Sequence, residues 1–98
     1  MAKIKISRKA AADIDGIWEY TLETWSEDQA EKYFYDIKES VAALPELPDY
    51  LCRHYDLVKP GLLGFHVGHH IIFYKKQQDG SVLVDRILHE MMDFPRHL

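Results

Sequence analysis

Two helical stripes separated by one capping signal constrain this chain more than any other feature. Ala11, Ile14, Trp18, Leu22 and Trp25 recur at three- and four-residue spacing, the repeat of a single helix face. Ser26-Glu27-Asp28-Gln29 follows at once and has the capping-box form: a hydroxyl to accept from a new first turn, and two acids at its positive end. A second stripe then runs through Ala30, Tyr33 or Phe34, Ile37, Val41 and Leu44. Helices joined by one or two residues can only fold back on each other, so an antiparallel hairpin is expected. Ser7 is placed to cap the first helix. Gly16 inside it costs about 1 kcal/mol relative to Ala and reads as a point of close backbone approach. Pro45 and Pro48 close the second helix, and Pro45 is expected to move Leu44 out of helical geometry.

The flanks read as strands. Lys3–Ser7 alternates, with Ile4 and Ile6 on one face. After an irregular connection over 49–62 come Leu63–His66, His69–Gln77 and Ser81–Leu88, with turns at Val67-Gly68 and Gln78-Asp79-Gly80. Along the last strand strict alternation puts Val82, Val84 and Arg86 on one face and Leu83, Asp85 and Ile87 on the other. The expected fold is α+β: an N-terminal strand, then a two-helix antiparallel hairpin packed on one face of an antiparallel sheet, in the order β-α-α-β-β-β with a short C-terminal tail.

The 98 residues suit a single domain, 1–98, with one core. No apolar run approaches the roughly 20 residues of a membrane span, and MAKIKISRKA lacks the apolar centre of a signal peptide. The one cysteine, Cys52, excludes an internal disulfide, fits a reducing cytoplasm and reads as a half-buried apolar residue. Net charge is −4, but residues 10–50 carry two bases against eleven acids, while all six histidines lie beyond residue 50. A chain so charged is not a general nucleic-acid binder, since that requires a basic footprint. Its acidic half suits a partner carrying positive charge.

The last segment, SVLVDRILHEMMDFPRHL, runs from a strand into a tail that gathers His89, Glu90, Asp93, Arg96 and His97. So polar an ending reads as a working surface. Metal binding is weak: His89-Glu90-Met91-Met92-Asp93 imitates the zincin pattern, but that pattern needs a continuous helix, and here it follows a strand. His66 and His70 can share a face across a turn, but no third ligand is evident. No metal and no cofactor are therefore expected. Tyr20 and Tyr35 fall off the helical stripes and, with Trp25, are candidates for a partner-facing surface.

These segments, taken in order (ISRKAAADIDGIWEYT, SEDQAEKY, PGLLGFHVGHHIIFYK and DRILHEMMDFPRHL), resemble the ParE branch of the ParE/RelE family of toxins. The resemblance implies a cytoplasmic toxin neutralised by a ParD-like antitoxin whose C-terminal segment wraps it. For the ParE branch it implies DNA gyrase as target, engaged by binding rather than chemistry. His89, Glu90, Met91, Asp93, Arg96 and His97 would then form the target-binding surface. The RelE branch implies the alternative, a ribosome-dependent mRNA interferase, for which Arg86, His89, Arg96 and His97 would be the catalytic candidates. Relatives carry a basic residue, usually Arg, where this chain has Met91. That departure opens a third reading, a non-toxic module that retains the fold and antitoxin binding.

Overall fold

The computed structural model describes residues 3–98; Met1 and Ala2, the start of the expected domain and of its basic N-terminal stretch, lie outside them. β1 (Ile4–Ile6) leads into α1 (Arg8–Thr24) and α2 (Glu27–Ala43), then β2 (Arg53–His54), β3 (Leu63–Val67), β4 (His70–Lys76), β5 (Val82–His89) and a one-turn α3 (Phe94–His97). Both predicted caps form. The Ser7 hydroxyl accepts from Ala10 N–H at 3.0 Å and that of Ser26 from Gln29 N–H at 3.2 Å. Leu44 remains helical, contrary to expectation: the chain tightens into a 3₁₀ turn over Leu44–Glu46. Pro45 sits early in that turn, where a missing N–H costs no hydrogen bond.

The five strands form one sheet in the order β1-β5-β4-β3-β2. The meander is antiparallel as expected, but β1 lies parallel to β5, with Ile4 opposite Val82 and Ile6 opposite Val84. The sheet is therefore mixed. The connection read as irregular contributes a further strand, β2, whose Arg53 pairs with Gly64. The first hairpin turns on Gly68-His69 rather than Val67-Gly68, since Val67 pairs with His70. Gly68 takes φ +55°, the positive value that the first position of a type II′ turn needs.

The main core lies between sheet and helices, built from Ala10, Ile17, Ile37, Val41, Leu44, Ile72, Tyr74, Val82, Val84 and Ile87 with their neighbours. The second stripe is placed as expected. The first is placed only in part: Ile14 packs against this core, but the buried positions are Ala10, Ile17 and Thr21, while Ala11 and Leu22 are exposed. The helix is rotated so that its tryptophans flank the helix–helix seam, Trp18 against Phe34 and Trp25 edge-on to Tyr33, both at 5.4 Å between centroids. Bulky rings fit the open seam, and the small or branched residues take the tight contact with the sheet. Gly16 admits no close backbone; a Cβ there would meet open space.

The outer face of the sheet carries a second cluster, Leu62, Ile71, Phe73 and Leu88, covered by Tyr55, Val58, Phe94 and Leu98. Loop and tail thus close the face the helices leave free.

Candidate functional site

The tail is positioned by a bulge that alternation could not reveal. Phe73 pairs with Arg86, but Tyr74 pairs with Val84, so Asp85 is an extra residue in β5. Val82, Val84 and Ile87 consequently all reach the helical core. Leu88 turns to the outer one. The strict parity expected for this strand is replaced by a switch at Asp85, whose carboxylate meets Lys59 at 3.1 Å.

Among the described residues the α1-facing edge of β5 has no strand partner beyond Ser7, and α1 supplies one group in its place. The Asp13 carboxylate accepts from Ile87 N–H at 3.0 Å and takes two bonds from the Arg86 guanidinium, at 2.8 and 2.9 Å. Arg86 also donates to the His97 carbonyl at 3.0 Å, fastening the last turn of the chain. Phe94 pins the tail from the other side, its ring 5.0 Å from Phe73 and 6.0 Å from Tyr55. Sequence reasoning missed Asp13 and Phe94. A lone acid near the inner face of a helix and a Phe-Pro step inside a polar tail were the available signals.

Four histidines and a glutamate gather where β5 becomes tail. Glu90 N–H donates to the His69 carbonyl at 2.9 Å. Its carboxylate receives His69 Nδ1 at 3.3 Å and His66 Nε2 at 2.7 Å, and these imidazoles hold it below the usual carboxylate range. His89 Nδ1 accepts from Met91 N–H at 3.1 Å, which requires an unprotonated nitrogen there. His70 Nδ1 lies 2.6 Å from the Tyr33 hydroxyl. Burial, then the neighbouring His89 and His69, push the His70 pKa down to about 4. Burial likewise raises the Tyr33 phenol.

His66 and His70 do not share a face: His66 pairs with Ile71 and points outward, while His70 pairs with Val67 and turns toward Tyr33. A two-residue turn puts neighbouring cross-strand pairs on opposite faces. Among the described residues no three His, Cys, Asp or Glu side chains are placed to hold a metal ion.

The predicted surface therefore divides. Glu90 and His89 are engaged in structural bonds, Arg86 is committed to Asp13, and His97 is half-buried with its carbonyl held. Met91, 83% exposed, projects with Asp93 and Arg96, and among the described residues neither of the latter two forms an ion pair. Lys76, one of two cations near the β4 turn, is paired with Asp49 at 2.7 Å. Of the partner-facing candidates, Tyr20 and Tyr35 are 62% and 60% exposed, whereas Trp25 is half-buried against Tyr33. Cys52 is half-buried as expected, its Sγ 2.6 Å from the Tyr74 hydroxyl.

Residues 4–94 match the profile of the family described as the ParE toxin of the type II toxin–antitoxin system parDE. The chain belongs to the ParE toxin family. Toxin ParE1 of Mycobacterium tuberculosis, in strains CDC 1551 / Oshkosh and ATCC 25618 / H37Rv, is 33% identical over 96 residues, covering 95% of this chain and 94% of its own. Toxin ParE1 of Caulobacter vibrioides is 28% identical over 98 residues, covering 100% and 99%. A solved structure described as the chromosomal ParDE TA system from P. aeruginosa superimposes with a TM-score of 0.73 over 91% of this chain and 96% of that one. At 23% identity that likeness establishes the fold. This ParE-family toxin thus has the architecture expected of it, and among its described residues no helix is long and apolar enough to cross a membrane.

Proposed function

We propose that this ParE-family toxin acts in the cytoplasm by binding DNA gyrase, without chemistry of its own, and that a ParD-like antitoxin neutralises it. The observation that carries the reading is the division of the tail. Its base is immobilised by Asp13–Arg86 and by Phe94, while Met91, Asp93 and Arg96 are left exposed on a braced support. A rigid projecting surface suits inhibition by binding, since little ordering entropy is lost on contact. Arg86, the cation a nuclease mechanism would want at the developing phosphorane, is instead neutralised by Asp13. Target binding is assigned to Met91, Asp93 and Arg96, with His89, Glu90 and His97 holding them in place. Tyr20 and Tyr35, exposed on the acidic helical hairpin, face the antitoxin, and Trp25 supports that face from the seam.

The test is a gyrase supercoiling and DNA-cleavage assay of this chain beside its Met91→Arg variant. Stabilised cleaved DNA with this chain supports the reading, whereas activity of the variant alone identifies Met91 as an attenuating residue and replaces that reading with the third one above, a non-toxic module. Inactivity of both, together with ribosome-dependent mRNA cleavage, would replace gyrase binding with the interferase alternative.

A further inference from the structure

On the outer face of the sheet, the loop and tail that cover the second cluster leave a hollow of about 500 Å³ between β2 and the tail. Its floor is Gly64 and Ile71, both buried. Gly64 cannot carry a side chain there, because a Cβ would come within 2.6 Å of the Tyr55 ring. Leu51, Tyr55 and Phe94 make the walls apolar. Of the polar groups, His66 and Glu90 are spent on each other at 2.7 Å. Arg53 is exposed and forms no ion pair among the described residues. Leu57, Tyr50 and Met91, at 104%, 84% and 83%, are the most exposed large hydrophobics of the described residues. Tyr50 and Leu57 flank β2 in the chain and Met91 follows Glu90, so all three adjoin segments that line this hollow. Exposed apolar side chains grouped about a pocket mark a protein-binding surface.

On the gyrase reading above, we propose that this hollow is a second target subsite: it takes one large apolar side chain, leucine or aromatic, from a segment of the target protein that carries a carboxylate alongside for Arg53. An anchor buried in a preformed pocket is a common source of affinity at a protein interface, and the exposed Tyr50, Leu57 and Met91 shield it from water once the partner is seated. The Arg53 guanidinium, free of other ion pairs, offers the carboxylate a two-bonded, charge-assisted contact. Continuity favours the target over the antitoxin. Glu90 and Phe94 belong both to this lining and to the tail that presents Met91, Asp93 and Arg96. Tyr20 and Tyr35, assigned to the antitoxin, lie on the helical layer across the sheet. A nucleic-acid strand fits worse. Its phosphates would lie against the Glu90 carboxylate, whose charge is favoured by His69 and His66, and the floor offers them no side-chain donor.

The experiment measures binding of the full chain to purified DNA gyrase holoenzyme, with and without linear duplex DNA, for the wild type, Leu51→Asp and Arg53→Glu. Both positions are exposed, so the fold is kept, and matching thermal midpoints check it. Arg53→Glu keeps the inference testable if Leu51→Asp disturbs the 3₁₀ turn before β2. Affinity of the same proteins for the ParD-like antitoxin is the control. A loss of gyrase affinity of at least about fivefold for each variant, equal with and without DNA and at unchanged antitoxin affinity, is the expected result. Gyrase bound equally well by all three proteins overturns the subsite and leaves the gyrase reading standing. Absence of gyrase binding by the wild type overturns both. A loss seen only with DNA present would assign the hollow to nucleic acid, and a matching loss of antitoxin affinity would assign it to the antitoxin; either overturns the proposal.

Discussion

Asp13 and Arg86 stand 73 residues apart in the chain and meet through two hydrogen bonds of 2.8 and 2.9 Å, joining the first helix to the last strand. The guanidinium also holds the His97 carbonyl, and the carboxylate also holds Ile87 N–H, so one ion pair fixes helix, strand edge and tail. Asp13→Ala strands a charge whose side chain is only 16% exposed and is expected to cost about 2–3 kcal/mol. Asp13→Asn keeps the shape but loses the charge and should cost less. Urea denaturation gives the stability, and faster amide exchange at Leu98 in both variants would report release of the tail. Unaltered exchange there would remove the role assigned to the pair.

Stability should fall as pH is lowered from 7 toward 4. His70 has a native pKa near 4, whereas the unfolded chain binds that proton near the ordinary value of about 6.5. Between those values the unfolded state holds more protons, so acid favours unfolding. Glu90, held low by His69 and His66, acts in the same direction at still lower pH, as its stabilising charge is lost. Thermal midpoints measured across this range should decline, and His70→Gln should flatten the upper part of the curve.

Gly68→Ala meets two obstacles. The backbone there has φ +55°, and an added Cβ would strike the Tyr33 ring, whose hydroxyl accepts from His69 N–H at 3.1 Å. A loss of about 2–3 kcal/mol is expected, mostly from the wedge against Tyr33. A double-mutant cycle with Tyr33→Ala separates the two: coupling between the sites reports the steric part, and a purely additive cycle would assign the cost to backbone geometry.

The rotation of α1 is open to a direct comparison. Ile17→Ala empties part of the main core and is expected to cost about 2–4 kcal/mol, while Leu22→Ala, at 38% exposure, should cost under about 1 kcal/mol. Equal losses would contradict the observed orientation of the helix.

At the tail the expectation is for function to move while stability does not. Asp93 and Arg96 are exposed and form no ion pair among the described residues, so Asp93→Ala and Arg96→Ala should each change unfolding free energy by no more than about 0.5 kcal/mol. Each should nevertheless weaken inhibition in the gyrase cleavage assay. Full inhibition with both residues removed would displace the target-binding surface from the tail.

Local pattern carried most of the architecture. The serines that cap both helices, the alternation of the strands and the Asp79-Gly80 turn act over a few residues, so their consequences can be read along the chain. The candidate site was legible in part. The tail stood out as a polar surface, but its division into braced and exposed residues did not, because bracing comes from Asp13, His66 and His69 on other elements. Arg86 looked like a free cation for the same reason.

What the sequence alone determined is the two-helix hairpin, the antiparallel meander and the family to which they point. Those features follow from periodicities of 3.6 and 2 and from short-range hydrogen bonds. The tertiary structure decided the rest: the parallel seating of β1 on β5, the bulge at Asp85, the rotation of α1 and the covering of the outer face by Phe94. Each is a choice among partners distant in the chain, settled by which packing fills the core and satisfies the main-chain groups at once. No local pattern holds that information.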